Sequence, residues 1–89
     1  MYCACVVVGN DTAVGDFALS SNIDGQYNVA MGASAMLENI DGIWNTAVGS
    51  FALQNNTSGN YNTAIGYASL DNNITGNNNV GIGLNAWAS

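Results

Sequence analysis

Residues 62–78, NTAIGYASLDNNITGNN, decide the fold, because the stretch recurs along the chain. It appears as NTAVGSFALQNNTSGNY over 45–61, as NVAMGASAMLENIDGIW over 28–44 and as DTAVGDFALSSNIDGQY over 11–27. A fifth copy, NVGIGLNAWAS, covers 79–89. The starts at 11, 28, 45, 62 and 79 keep a period of 17 residues with no insertion or deletion. A fixed period of this length signals a solenoid, in which each repeat is one turn that buries its apolar face only against its neighbours.

Aligned by position, the repeat reads as β-structure. The second position holds Thr12, Val29, Thr46, Thr63 and Val80, and the fourth holds Val14, Met31, Val48, Ile65 and Ile82. Between them lies Ala13, Ala30, Ala47, Ala64 or Gly81. Side chains alternate along a strand, so the second and fourth positions share one face and the third takes the other. The larger, β-branched set is expected inside the coil. By that parity Ile65 is buried between Val48 and Ile82, and the Ala column faces outward, suited to close contact with another chain.

The fifth position is always Gly (Gly15, Gly32, Gly49, Gly66, Gly83), which suits a corner needing positive φ or close approach. A further core ladder is expected at the ninth position: Leu19, Met36, Leu53, Leu70 and Trp87. Asn22, Asn39, Asn56 and Asn73 at the twelfth position, with Gly25, Gly42, Gly59 and Gly76 at the fifteenth, mark a second corner. Stacked Asn side chains can bond from coil to coil. One coil is therefore expected to run strand, Gly corner, strand, Asn-x-x-Gly corner. Frequent Gly and Asn and a period-two core argue against helix. The fold class expected is all-β, a parallel β-solenoid or β-roll of about five 17-residue coils over 11–89. Residues 1–10, MYCACVVVGN, fall outside the register and read as an N-terminal strand or cap segment.

The charge set limits function. Six acidic residues stand against no Lys, Arg or His, a formal net charge of −6. Phosphate contacts then have no cation to make them, which excludes nucleic acid as a partner and disfavours docking on an anionic membrane. No apolar run approaches a membrane span, and Cys3-Ala4-Cys5-Val6-Val7-Val8 lacks the length and basic flank of a signal peptide. Cys3 and Cys5 are read either as small buried hydrophobes or free thiols, or as interchain disulfides around an oligomer axis.

Catalytic machinery is missing. With no His, Lys or Arg there is neither a side-chain base partner for a Ser nor an anion clamp, so no catalytic residue and no cofactor is expected. Asp24 and Asp41 occupy equivalent positions and would stack one coil apart, the weak candidate for Ca²⁺. Ser58 and Thr75 at the same position further on favour plain solvated turns. Tyr27, Trp44 and Tyr61 end successive repeats and form a possible glycan platform, weighed against simple ladder or interchain packing. Sequons at Asn10, Asn55, Asn56 and Asn73 matter only in a eukaryotic secretory pathway.

The stretches NTAVGSFAL (45–53), NNTSGNYNTAIGYASL (55–70) and NNITGNNNVGIG (72–83) resemble the NTAIG-type repeats of phage and bacterial tail-fibre-like proteins. The N-T-A-I-G core is also similar to a motif in head domains of YadA-like trimeric autotransporter adhesins, though the 17-residue length departs from that family's pattern. The resemblance covers nearly all of 11–89. It implies a left-handed parallel β-roll with three chains side by side about an axis.

The function expected is a structural segment of a homotrimeric fibre, of tail-fibre or adhesin-head type, located outside the cell, on its surface or on a virion. Its partner is itself, with a cell-surface glycan or receptor as a further candidate and no membrane insertion. A self-assembling filament subunit stacking head to tail is the alternative. A glycan- or ice-binding module is the second alternative, with the inward parity of Thr12, Thr46 and Thr63 counting against ice.

Overall fold

The computed structural model describes residues 10–86. The segment 1–9 with Cys3 and Cys5, and the ladder residue Trp87, lie outside the described residues. Five short strands, β1 (Thr12–Val14), β2 (Val29–Met31), β3 (Thr46–Val48), β4 (Thr63–Ile65) and β5 (Val80–Ile82), form one parallel sheet in chain order. Pairing follows the repeat throughout: Thr12 lies opposite Val29, Ala30 opposite Ala47, Thr46 opposite Thr63 and Ile65 opposite Ile82. The protein is a parallel β-solenoid, and the unbroken sequence period is the pairing register itself.

Each described coil contains one strand, not two. The strand pairs to the next coil through bonds such as Val29 N to Asn45 O, 2.8 Å, and Gly49 N to Met31 O, 2.7 Å. Beyond the Gly corner the expected second strand is replaced by three linked turns. In the first coil Ala18 N donates to Gly15 O, Ser20 N to Phe17 O and Asn22 N to Leu19 O. The same three bonds recur one period later at Ala35, Leu37 and Asn39. Such overlapping turns are possible because every second residue adopts positive φ, as at Phe17 (61°) and Leu19 (54°) or at Phe51 (63°) and Leu53 (51°). The turn segment still bonds from coil to coil, through Leu19 N to Ala35 O and Met36 N to Ala52 O.

The inside and outside of the strand are the reverse of the sequence expectation. Ala30, Ala47 and Ala64 have no solvent exposure, and Ala13 and Gly81 are buried as well. Val14, Met31 and Ile65 are about two-fifths exposed at 38%, 43% and 40%; Ile82 reaches 67%, and Val48 is half-buried. Space is the reason. A Cβ built on Gly81 would lie 2.9 Å from Leu70 Cγ and 3.0 Å from Ser69 Oγ, so the third position points straight at the ninth and eighth positions across a thin coil. Leu19, Met36, Leu53 and Leu70 fill that gap, leaving room for nothing larger than Ala opposite. The core is thus an Ala column facing a Leu/Met column, with Ala18, Ala35 and Ala52 beside it. Hydrophobicity alone favours the β-branched residues for the interior, whereas the coil has room only for their smaller neighbour.

Candidate functional site

Two files of Asn side chains run through the solenoid and hold its corners. At the first position, backbone N–H groups of Asn28, Asn45, Asn62 and Asn79 donate to the side-chain Oδ1 of Asp11, Asn28, Asn45 and Asn62, at 2.8, 2.9, 3.0 and 3.0 Å. The Nδ2 of Asn28, Asn45 and Asn62 donate to the carbonyls of Gly42, Gly59 and Gly76, each at 2.8 Å. At the twelfth position Asn39, Asn56 and Asn73 donate Nδ2 to Oδ1 of the Asn one coil before, at 2.9, 3.0 and 3.0 Å. The same Nδ2 groups reach the Gly carbonyl three residues on. The carboxamide fits here because it supplies two donors and one acceptor in a plane, enough to tie its own turn and both neighbouring coils. Every buried side-chain nitrogen and oxygen among the described residues has a partner, as buried polar groups require.

Both ends of this network close on themselves. In the first coil Asn22 Nδ2 donates to Asp11 Oδ2 at 3.0 Å. The corresponding N–H of each later coil goes to the preceding Asn. A carboxylate, with acceptors only, is the right first rung. At the other end Asn79 Nδ2 donates to Asn73 Oδ1 at 3.2 Å.

The Gly corners leave no choice of residue. Gly49 has φ +127°, and a Cβ there would sit 2.7 Å from the backbone C and O of Gly66. Positive φ and backbone contact both exclude a side chain. The Gly59 corner excludes one for a different reason: the added Cβ would run into Asn56 Oδ1 and the Gly76 carbonyl oxygen.

The outer face of the sheet is one surface that these ladders and corners leave free; Ile23, Ile40 and Ile74 form a second exposed apolar column, beside the exposed Asp24 and Asp41. Two outward columns, Thr12, Val29, Thr46, Thr63, Val80 and Val14, Met31, Val48, Ile65, Ile82, cover the sheet face without a single charge. The outward Thr column means that parity no longer counts against ice, although Val29 and Val80 still interrupt it.

Tyr27 and Trp44 stack face to face with ring centroids 4.3 Å apart and planes 10° from parallel. Each ring therefore covers one face of the other. Tyr61, 55% exposed, continues the column. Phe51 and Tyr67 form an edge-to-face pair at 5.6 Å on the other side of the strand.

Asp24 and Asp41 stand exposed at equivalent corners. No cluster of three or more His, Cys, Asp or Glu occurs among the described residues. Of the sequon residues, Asn56 and Asn73 are locked in the buried ladder, whereas Asn10 is exposed and Asn55 half-buried.

The sequence reading missed the left-handed columns. Tyr27, Trp44, Tyr61 and Asn78 share φ near 60° with the seventh- and ninth-position residues. None of the thirteen non-Gly residues at positive φ is Val, Ile or Thr, although these abound elsewhere. β-Branched side chains tolerate that conformation worst, so their absence from three columns was the available signal.

No family model, curated protein or solved structure matches the chain.

Proposed function

We propose that this chain is a structural segment of a fibre, a stiff β-solenoid that associates with copies of itself into a homotrimer, of tail-fibre or adhesin-head type, outside the cell or on a virion. The observation that carries the reading is the uncharged apolar outer sheet face. Val14, Met31, Ile65, Val80 and Ile82 present side chains to solvent at strand spacing along the whole solenoid. The face continues into the exposed rings of Tyr27, Trp44 and Tyr61 on one side and Phe17 and Tyr67 on the other, and contiguous exposed apolar surface marks an interaction site once it passes a few hundred Å². A copy of the same chain suits it, since the copy carries the same period and needs no cation to meet. The paired ladders and unsatisfiable Gly corners supply rigidity, and the lack of basic residues fits a scaffold better than a catalyst. Size-exclusion chromatography with light scattering tests this reading. A three-chain mass supports it, and a folded single chain at tens of micromolar overturns it.

The outward Thr12, Thr46 and Thr63 favour a second reading, an ice-binding face. Thermal hysteresis from a single-chain species would support that reading over self-association. Long fibres of uniform width by electron microscopy would favour head-to-tail filament growth.

A further inference from the structure

Resting on the self-association reading, we infer that copies meet in parallel and in register, with the aromatic column Tyr27–Trp44–Tyr61 of one chain docking against the sixth- and seventh-position residues just past the Gly corner, Ala33, Ser34, Ser50, Phe51, Tyr67 and Ala68, of the next.

The outer strand face is too small to hold an assembly alone. Five strands at about 4.8 Å, each with two outward side chains about 7 Å apart, make a patch on the order of 200 Å². A stable contact needs about 800 Å² per partner. The surface is widened by the two columns that border the strand, and both carry exposed aromatic rings. Tyr27, Trp44 and Tyr61 precede it, at 44%, 48% and 55% exposure. Phe17 and Tyr67 follow it, at 65% and 52%, with Phe51 half-buried between them.

Charge draws the same outline. Asp24, Glu38, Asp41 and Asp71 lie at the tenth, eleventh and fourteenth repeat positions, away from the strand. Asp11 is buried, so Asp16 is the one accessible acid that borders the face. Chains of net charge −6 with no cation approach one another most easily through this uncharged sector.

Orientation follows from geometry. Rotation about an axis along the solenoid keeps every coil at its own height and brings the column before the strand against the column after it. An antiparallel pair would instead set each column against itself. At equal height Tyr27 meets Ala33 and Ser34, Trp44 meets Ser50 and Phe51, and Tyr61 meets Tyr67 and Ala68. At each level a large ring has a small neighbour opposite to receive it.

A charge swap tests the pairing. Tyr61→Lys and Tyr67→Glu are made singly and together, and masses are measured by light scattering at low salt, with circular dichroism as the check of fold. Each single variant should drop about threefold in mass, and the double variant should return to the parent mass and lose it again at high salt. Trp44→Lys with Phe51→Glu repeats the test one coil away. The pairing is overturned if the parent associates while the double variant stays dissociated, or if the single variants keep the parent mass. A parent that is itself a single chain overturns the self-association reading and this inference with it.

Discussion

Asn56→Ala strikes the centre of the buried ladder. Asn56 has no solvent exposure and makes three side-chain bonds: to Asn39 Oδ1 at 3.0 Å, to Gly59 O at 3.1 Å and from Asn73 Nδ2 at 3.0 Å. Truncation does not strand all three partners. Gly59 O keeps Asn45 Nδ2 at 2.8 Å, and Asn73 Nδ2 keeps one bond to Gly76 O. Asn39 Oδ1 loses its donor, and one N–H of Asn73 loses its acceptor. Two buried polar groups without partners, at about 1–3 kcal/mol each, put the cost near 4 kcal/mol. Domains of this size hold about 5–15 kcal/mol in all, and each kcal/mol moves the midpoint by about 4–8 °C, so the melt should fall by roughly 15–30 °C. The assay is thermal unfolding followed by circular dichroism, beside Asn72→Ala as an exposed control in the next repeat. Equal, small shifts for the two variants would refute the ladder as a source of stability.

Three further outcomes follow from the same geometry. Gly49→Ala places a Cβ 2.7 Å from the Gly66 carbonyl at φ +127°, and should cost at least about 3 kcal/mol by urea titration. Leu53→Ile keeps volume but sets a β-branched residue at φ 51°; it should cost about 2 kcal/mol or more, above the usual limit of about 1.5 kcal/mol for such swaps, when unfolding midpoints are compared. Ala64→Asp buries a charge with no cation in the chain to pair with it, and loss of the folded circular dichroism signal is expected.

Much of the architecture was legible because the repeat is free of insertions. The spacing of Gly15, Gly32, Gly49, Gly66 and Gly83 is also the strand register, and Leu19, Met36, Leu53 and Leu70 lie in the core where their column placed them. The sidedness of the strand was not legible from hydrophobicity, because period-two alternation gives two faces without labelling them. Ala64 is inside and Ile65 outside because the coil is too thin for Ile against Leu70, a fact about distance across the coil. The turn chain over the second side escaped for a related reason. Phe51 has strand-like propensity, yet it and Leu53 sit at positive φ within tandem turns, where coil-to-coil bonding overrides local preference. The face proposed for self-association is therefore built from Val14, Met31, Val48, Ile65 and Ile82, the column that hydrophobicity alone places in the core.

Sedimentation equilibrium of the parent chain beside Ile65→Asp tests self-association through the outer sheet face most directly. Ile65 is 40% exposed, so the acid should cost the isolated coil under about 1 kcal/mol, while a copy packed on it would trap an unpaired charge. The expected result is a three-chain mass for the parent and a folded single chain for Ile65→Asp, with melting of that single chain unaffected by its concentration. A parent that sediments as one chain, or an Ile65→Asp chain that unfolds, would contradict the account.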